Sequence, residues 1–222
     1  MERPLVTCIT PTANRQKYLP LAIKYFLEQD YPNAEMVIID DGRESCASLI
    51  PENPKIKYFY YPERLGTIGI KRNLACEKSN GEIIIHWDDD DWYAPDWISR
   101  QVEAQLHSGA DITGLNKVDF YSPSINKRYR YEDTEIEKPW ICGATMAFKK
   151  SFWEKHKFVD LQVGEDYDFV WNSGGKVFAL DYLAGFVSIL HAHNTSLKPI
   201  ENPKHKKHAE AWVAGKDYIK DE

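Results

Sequence analysis

Closely spaced cysteines are missing from this sequence. Its four cysteines, Cys8, Cys46, Cys76 and Cys142, stand far apart in the chain. Neither a zinc knuckle nor a redox pair is therefore indicated. Cys8, Cys76 and Cys142 lie in apolar or helical contexts, where a cysteine is most simply a small buried thiol, and this use fits a reducing compartment.

Long apolar runs are also missing. No run approaches the roughly twenty residues that a membrane-spanning helix needs. The chain leads from its first residues directly into a predicted strand, without a charged and then apolar signal pattern. The sequence therefore predicts a soluble, cytoplasmic protein with no transmembrane segment.

A surplus of basic residues is absent as well. The chain has 28 Lys and Arg against 34 Asp and Glu, a net charge of −6. A dedicated nucleic-acid binder is usually basic, so the acidic charge argues against nucleic acid as a partner. With 222 residues, of which 43% are hydrophobic, the chain fits one domain with a full core.

The most informative stretch joins an apolar strand to a run of acids. Ile83, Ile84 and Ile85 indicate a strand buried on both faces. Four carboxylates follow at 88–91, closed by Trp92. Adjacent like charges at the end of a buried strand need a cation or backbone N–H groups to neutralise them. An acidic, solvated loop is the alternative, but the strand and the tryptophan favour a site for Mg²⁺ or Mn²⁺ with a diphosphate.

The start of the chain predicts a βαβ unit with parallel pairing. Residues 5–10 and 35–39 read as buried strands, and residues 18–29 carry apolar side chains at helical spacing. Pro11 and Thr12 are predicted to break the first strand. The second strand ends in Asp40, which either contacts a nucleotide base or ribose or shapes a turn.

A strand at 55–61 and a helix at 70–78 follow. The glycine-rich loop before this helix, together with Arg72, favours binding of an anion; solvated basic residues at a helix start are the alternative.

Later segments predict a hairpin at 118–131, a strand at 140–149 near the floor of the site, and a helix that begins with acids at 165–168. His191 or His193, at the exit of the last strand, is a candidate metal ligand.

Six motifs occur in one order over nearly the whole chain, and together they resemble family 2 glycosyltransferases of the A-type nucleotide-diphospho-sugar transferase fold. In chain order they are Pro11-Thr12-x-Asn14-Arg15, Asp40-Asp41-Gly42, Gly69-x-x-Arg72-Asn73, Gly81-Glu82 with a strand and then Asp88-x-Asp90-Asp91, Gly164-Glu165-Asp166 and His191-x-x-Asn194-Thr195-Ser196. Residue 13 is Ala, where the family often has Tyr.

The resemblance implies a single-domain, Rossmann-like α/β fold. A central, mostly parallel sheet is flanked by helices, and a small sheet lies on the acceptor side. The glycosyltransferase domain is expected at 1–198, with a nucleotide-binding half at about 1–92 and an acceptor half at about 93–198. A basic, partly helical tail is expected at 199–222.

The resemblance also implies roles for individual residues. Those expected to bind the nucleotide-sugar donor are Pro11, Thr12, Arg15, Asp40, Arg72, Asp88 and Asp89. Those expected at the metal are Asp90, Asp88 and His191. Asp166 is the expected general base, and Glu165 belongs to the same catalytic motif.

The implied reaction is an inverting, Mn²⁺- or Mg²⁺-dependent transfer of a sugar from a nucleoside-diphosphate sugar, a UDP-sugar by preference, to an acceptor hydroxyl. A glycan, a lipid-linked sugar or a protein is the expected acceptor. A sugar-phosphate nucleotidyltransferase is one alternative, although residues 11–17 lack the glycine of its usual phosphate loop. The other is a non-catalytic glycan-binding module on the same fold.

Overall fold

The computed structural model describes residues 3–132 and 140–195, together with the backbone of 213–214. Strands and helices alternate, which confirms the α/β class. The strands are β1 (Val6–Thr12), β2 (Ala34–Asp40), β3 (Ile56–Tyr60), β4 (Ile83–His86), β5 (Trp92–Tyr93), β6 (Ile112–Gly114), β7 (Lys117–Ser122), β8 (Lys127–Glu132), β9 (Ala147–Lys149), β10 (Val177–Ala179), β11 (Phe186–Ile189) and β12 (Val213–Ala214). The helices are α1 (Leu19–Leu27), α2 (Ile68–Lys78), α3 (Trp97–Ser108), α4 (Lys150–Trp153) and α5 (Glu165–Asn172).

The larger sheet has seven strands in the order β10-β6-β9-β4-β1-β2-β3. Its pairs are parallel except for those of β9, which runs antiparallel to both β4 and β6. This arrangement confirms the predicted central, mostly parallel sheet. The carboxyl ends of β1, β2 and β4 consequently meet at one edge, where open α/β sheets bind ligands.

Both faces of this sheet are covered, which explains the unbroken apolar runs of its strands. Cys8 and Ile85 belong to one apolar cluster, which also contains the inner faces of α1 and α3. Their neighbours Ile9 and Ile84 point the other way, into a cluster that includes residues of α2 and α5. Alternate residues of each strand thus anchor helices on opposite sides.

None of these helices, in the part of the chain that the structure describes, combines the length and apolar character needed to cross a bilayer. The longest is α3, with 12 residues. It ends at Gly109, whose φ of 65° lies in the left-handed region that favours glycine at a helix C-terminus.

A second sheet has the order β12-β8-β7-β11-β5. The predicted hairpin at 118–131 is confirmed as β7 and β8, which pair antiparallel. Most of the predicted tail at 199–222 lies outside the described residues. Val213–Ala214 pair with β8 as a strand, so the helix expected around them is wrong there, because the free edge of β8 offers backbone groups for pairing.

The first strand extends further than predicted. Pro11 and Thr12 were expected to break it, yet both continue β1 in register with β2. The reason is local, because pairing of β1 with β4 stops at Ile9 opposite His86. Beyond that point only one neighbour remains, and the missing N–H of Pro11 is tolerated.

The strand predicted at 140–149 is wrong over its first part. Gly143–Thr145 form a 3₁₀ turn, and only Ala147–Lys149 are extended. The Thr145 hydroxyl donates to the Cys142 carbonyl over 2.8 Å, which closes the turn locally.

Strands from both sides of residue 92 share the larger sheet, since β6, β9 and β10 join it from the later part of the chain. The division into a nucleotide-binding half and an acceptor half therefore does not follow from separate sheets. It stays a prediction.

Candidate active site

Two of the four acids after β4 are turned into the protein. Asp89 accepts hydrogen bonds from the Thr12 hydroxyl at 2.5 Å and from Arg15 Nη1 at 3.2 Å. Asp91 accepts from the backbone N–H of Ile189, at the end of β11, over 2.8 Å. Each is only 5% exposed. These two carboxylates fix the acidic loop to the strands beside it.

The alternate pair, Asp88 and Asp90, faces the site. Asp88 keeps 28% of its side-chain surface exposed. Asp90 Oδ2 receives His191 Nε2 at 2.9 Å and Asn194 Nδ2 at 3.3 Å, and it also forms an ion pair with Arg15. Asp88 and Asp90 are therefore the less enclosed acids of the four, and their role as metal ligands stays a prediction.

His191, rather than His193, brings its ring to the acids. Its imidazole stacks on Tyr18, with ring centroids 4.5 Å apart and planes at 12°. Asn194 completes the turn by accepting the His191 backbone N–H at 2.6 Å. His193 contributes its carbonyl to Arg15 over 2.7 Å, and its side chain is exposed.

Close packing of these carboxylates changes their proton affinities. Burial is the largest effect on each pKa, and it raises the pKa of Asp88, of Asp89 to about 7, and of Asp91 well above the usual range. At Asp90 the hydrogen bond with His191 and the charge of Arg15 outweigh burial and lower the pKa. Asp90 is therefore the anion that this cluster holds most firmly in its charged form.

The basic residues at the start of α2 are buried, so the solvated helix start considered above is wrong. Lys71 donates to Asp41 at 2.8 Å and to the Thr12 carbonyl at 3.3 Å. Arg72 is 4% exposed, forms an ion pair with Glu165 and places Nη2 3.7 Å from Asp88 Oδ1. Contact between Arg72 and a donor diphosphate stays a prediction.

Asp166 follows Glu165 on α5 and lies over the turn at Gly143. A Cβ at Gly143 would collide with the Asp166 carboxylate, so glycine is required for this approach. The Gly143 carbonyl is held from below by Nδ1 of the buried His86 over 2.7 Å. Asp166 is close enough to Asp88 for its charge to raise the pKa of Asp88. The predicted base and the predicted donor acid are thus neighbours through Arg72, and their sharing of one catalytic site stays a prediction.

The side chain of Asp40 is wholly buried and shapes a turn. One carboxylate oxygen accepts the Gly42 N–H at 2.9 Å; the other accepts the Cys46 N–H at 3.1 Å and the Tyr58 hydroxyl at 2.6 Å. This contact pattern matches the turn interpretation that the sequence had left open. A contact with a base or ribose stays a prediction, as does the role of Pro11.

The donor set suits a divalent cation that is shared with a phosphate-bearing substrate. Within residues 3–132 and 140–195, no three His, Cys, Asp or Glu side chains are grouped to hold a metal by themselves. Asp90 and His191 offer an oxygen and a nitrogen side by side. Mg²⁺ characteristically binds one or two carboxylates and completes its shell with phosphate oxygens and water. Arg15 would then have to leave Asp90.

Sequence patterns missed several residues of this site. Tyr18 supports His191, and the Tyr93 hydroxyl accepts the Asp88 N–H at 2.8 Å. Neither position has a local signal. Gly143 could have been suspected, because it lies in a stretch rich in small residues beside the predicted floor.

With this geometry established, comparison with known proteins identifies the family. The family model described as "Glycosyl transferase family 2" matches residues 7–169. The chain therefore belongs to glycosyl transferase family 2, and the resemblance and the fold class are confirmed.

Two curated relatives are informative. An uncharacterized glycosyltransferase of Haemophilus influenzae is 33% identical over 121 residues, 52% of this chain and 48% of that protein. The GalNAc(5)-diNAcBac-PP-undecaprenol beta-1,3-glucosyltransferase of Campylobacter jejuni is 28% identical over 170 residues, 70% of this chain and 55% of that one. The chain spans about half the length of these relatives.

Solved structures share the fold. Staphylococcus aureus TarS 1-349 in complex with UDP-GlcNAc aligns with a TM-score of 0.68 at 16% identity, over 86% of this chain and 60% of that one. The mannosyltransferase PcManGT from Pyrobaculum calidifontis, in complex with GDP-Man and Mn²⁺, aligns at 0.66 and 19% identity, over 95% and 60% respectively.

Proposed function

We propose that this chain carries the catalytic site of an inverting, divalent-metal-dependent glycosyltransferase that moves a sugar from a nucleoside-diphosphate sugar to an acceptor hydroxyl. The observation that supports it most is that Arg72 pairs with Glu165, the neighbour of Asp166, and lies 3.7 Å from Asp88. Family membership supports the same class of reaction.

Asp88, Asp90 and His191 hold the donor side in this proposal. Asp90 and His191 are the side chains that would hold a Mn²⁺ or Mg²⁺ ion, which when bound would supply positive charge to the leaving diphosphate. Asp88 would lie toward the ribose and sugar. Thr12, Arg15 and Asp89 fix the loop from behind.

Asp166 acts on the acceptor. As the hydroxyl oxygen attacks the anomeric carbon, its proton passes to the Asp166 carboxylate, and the bond from that carbon to the diphosphate breaks with its electron pair leaving on phosphate. Attack from the side opposite the leaving group inverts the anomeric configuration. A positioned base of this kind contributes about 10²–10⁴-fold to the rate.

The choice of donor and acceptor draws on the relatives. TarS is described in complex with UDP-GlcNAc and PcManGT with GDP-Man and Mn²⁺. We favour a UDP-sugar for this chain. The Campylobacter relative is named for an undecaprenol-linked acceptor, and a lipid-linked sugar stands beside glycans and proteins among the proposed acceptors.

The first experiment identifies the donor. Thermal unfolding is measured with UDP- and GDP-sugars, each with and without Mn²⁺, because a ligand that binds only the folded protein raises the melting temperature. The largest shift is expected from a UDP-sugar with Mn²⁺. A larger shift with a GDP-sugar would transfer the donor preference to guanine nucleotides.

The second experiment tests the base. Asp166→Asn is expected to lower kcat for transfer by about 10²–10⁴-fold and to leave donor binding intact, because only proton removal is lost. Asp168→Asn is the matched control on the same helix, since Asp168 contacts Asn172 at the surface. Full turnover by Asp166→Asn contradicts the proposal, as does formation of pyrophosphate from a nucleoside triphosphate and a sugar phosphate.

A further inference from the structure

The inner side of α2 holds the segment that leads into Asp166. Gly69 N–H donates to the Leu161 carbonyl at 3.2 Å, and a Cβ at Gly69 would collide with the Val159 carbonyl oxygen. Just before the helix, the Thr67 hydroxyl donates to Asp160 at 2.7 Å. The first turn of α2 is thereby attached to residues 159–161 at several points.

Asn73, one turn further along α2, fixes the beginning of the same segment. Its side-chain amide donates to the Phe158 carbonyl at 2.8 Å, and its oxygen accepts the Phe158 N–H at 3.0 Å and Trp153 Nε1 at 2.9 Å. These bonds use both ends of the amide. Two members of the Gly69-x-x-Arg72-Asn73 motif therefore contact the segment before Asp166 rather than the open site.

Arg72, the third member of the motif, contacts the other end of this segment, at the start of α5. Its guanidinium pairs with Glu165, and both side chains are 5% exposed. Another nitrogen of the same group faces Asp88 at 3.7 Å, and Nε has no hydrogen-bond partner within the described part of the chain. The planar guanidinium can hold two carboxylates in fixed directions, as a lysine ammonium cannot.

We infer that Arg72 and Glu165 form a buried strut that positions Asp166 and ties it to the donor acid Asp88. Glu165 is the first residue of α5, so its anchored carboxylate fixes the helical turn that carries Asp166. This inference rests on the proposed role of Asp166. It makes Arg72 and Glu165 positioning residues, whereas the family resemblance implied that Arg72 binds the donor and that Glu165 belongs to the catalytic motif.

The first test needs no activity. Amide hydrogen exchange over residues 164–168 is compared among wild type, Arg72→Gln, Arg72→Lys and Glu165→Gln. Faster exchange is expected in the first turn of α5, where Asp168 N–H donates to the Gly164 carbonyl at 3.0 Å. Arg72→Lys is expected to be intermediate, because it retains the charge opposite Glu165 but not the fork. Unchanged amide exchange in all three variants would contradict the inference that the Arg72–Glu165 ion pair positions Asp166.

The second test separates positioning from donor binding. Arg72→Gln is expected to lower kcat for transfer by about 10²-fold and to keep the donor Kd within about threefold. Combined with Asp166→Asn, it is expected to lower kcat little further, because both changes remove the same function. A donor Kd raised more than about tenfold, with unchanged exchange in α5, makes Arg72 a donor contact instead.

Controls keep the outcome interpretable. Because a lone Gln at 72 leaves Glu165 buried without a counter-charge, the double variant Arg72→Gln/Glu165→Gln is measured beside it, with circular dichroism as the check of folding. Lys157→Gln removes an exposed ion pair with Glu77 of α2. This control is expected to change neither the amide exchange of residues 164–168 nor kcat. If wild type transfers no sugar, the proposed function fails, while the exchange measurement still tests the strut.

Discussion

At the amino ends of strands β1 to β4, one carboxylate receives several donors. Glu35 accepts from the Thr7 hydroxyl at 2.9 Å, the Asn80 N–H at 2.7 Å and the Asn80 side chain at 3.4 Å, and it pairs with Lys57 at 2.6 Å. These contacts join residues at or just before the starts of four adjacent strands. Both oxygens of the Glu35 carboxylate therefore have hydrogen-bond donors, and its negative charge is paired with Lys57.

At the carboxyl ends of the same strands the balance is reversed. Of the four carboxylates at 88–91, Asp89 and Asp90 pair with Arg15, and Asp88 lies 3.7 Å from Arg72. Burial and mutual repulsion raise the pKa of Asp91 and of Asp89. The same fold thus has one end at which a buried acid is fully paired and one end at which acidic groups outnumber their partners, an excess that a bound divalent cation would relieve.

Among substitutions that test this difference between the two ends of the strands, the largest effect is expected at Asp90. Asp90→Asn removes the carboxylate that stays most strongly charged, and we expect Mn²⁺ affinity and the transfer rate each to fall by about 10²-fold. Mn²⁺ binding is followed by electron paramagnetic resonance, and transfer by release of the nucleoside diphosphate.

The matched control lies at the other end of the strands. Glu35→Gln makes the same change of acid to amide, and we expect unchanged Mn²⁺ affinity and kcat. Full transfer activity of the wild type in EDTA would remove Asp90 and His191 from a metal-binding role.

The sequence predicted the end of the sheet at which the acids at 88–91 lie, for a physical reason. Isoleucine runs such as Ile83–Ile85 indicate doubly buried parallel strands, and acids directly after β4 must then lie at the carboxyl edge. The alternation within the acids was not predictable. It depends on Thr12 and Ile189, residues remote from 88–91 in the chain, whose donors select Asp89 and Asp91.

Contacts over long sequence separations account for the other differences. In the sequence, Arg72 is typical of an anion-binding residue near a helix start. In the structure, its guanidinium forms an ion pair with Glu165, 93 residues later in the chain. Pro11 reads as a strand breaker until the register shows that β4 has ended beside it. Local sequence patterns were enough to predict most helices and strands. The partners of buried charged side chains, in contrast, could be identified only in the folded structure.

A smaller effect is expected on stability at the amino end. Glu35→Gln removes the ion pair with Lys57 and weakens the bonds from Thr7 and Asn80, so we expect the free energy of unfolding to fall by about 2 kcal/mol at pH 7. Urea unfolding measures the change, and Lys24→Gln, at an exposed ion pair on α1, is the control with little expected loss.

The same variant gives a pH dependence of known sign. Burial acts to raise the pKa of Glu35, but the hydrogen bonds from Lys57, Asn80 and Thr7 outweigh it and lower the pKa below the usual value. A lowered folded-state pKa stabilises the protein above the unfolded-state value of about 4.3, and this stabilisation is lost as the pH falls through the folded-state pKa. The gap between wild type and Glu35→Gln should therefore be constant near neutrality and shrink below about pH 4.

The smallest predicted effect has the opposite sign. Asp91→Asn keeps an oxygen to accept the Ile189 N–H and removes an acid whose pKa is raised well above its usual value by burial and by the charges of Asp90 and Asp88. Without divalent cations we expect the free energy of unfolding to rise by about 0.5 kcal/mol, because repulsion and the desolvation of a charge are relieved. Urea unfolding in EDTA measures it. A loss of stability as large as that of Glu35→Gln would mean that the negative charge of Asp91 is itself stabilising, and the contrast between the two ends of the sheet would then be false at this position.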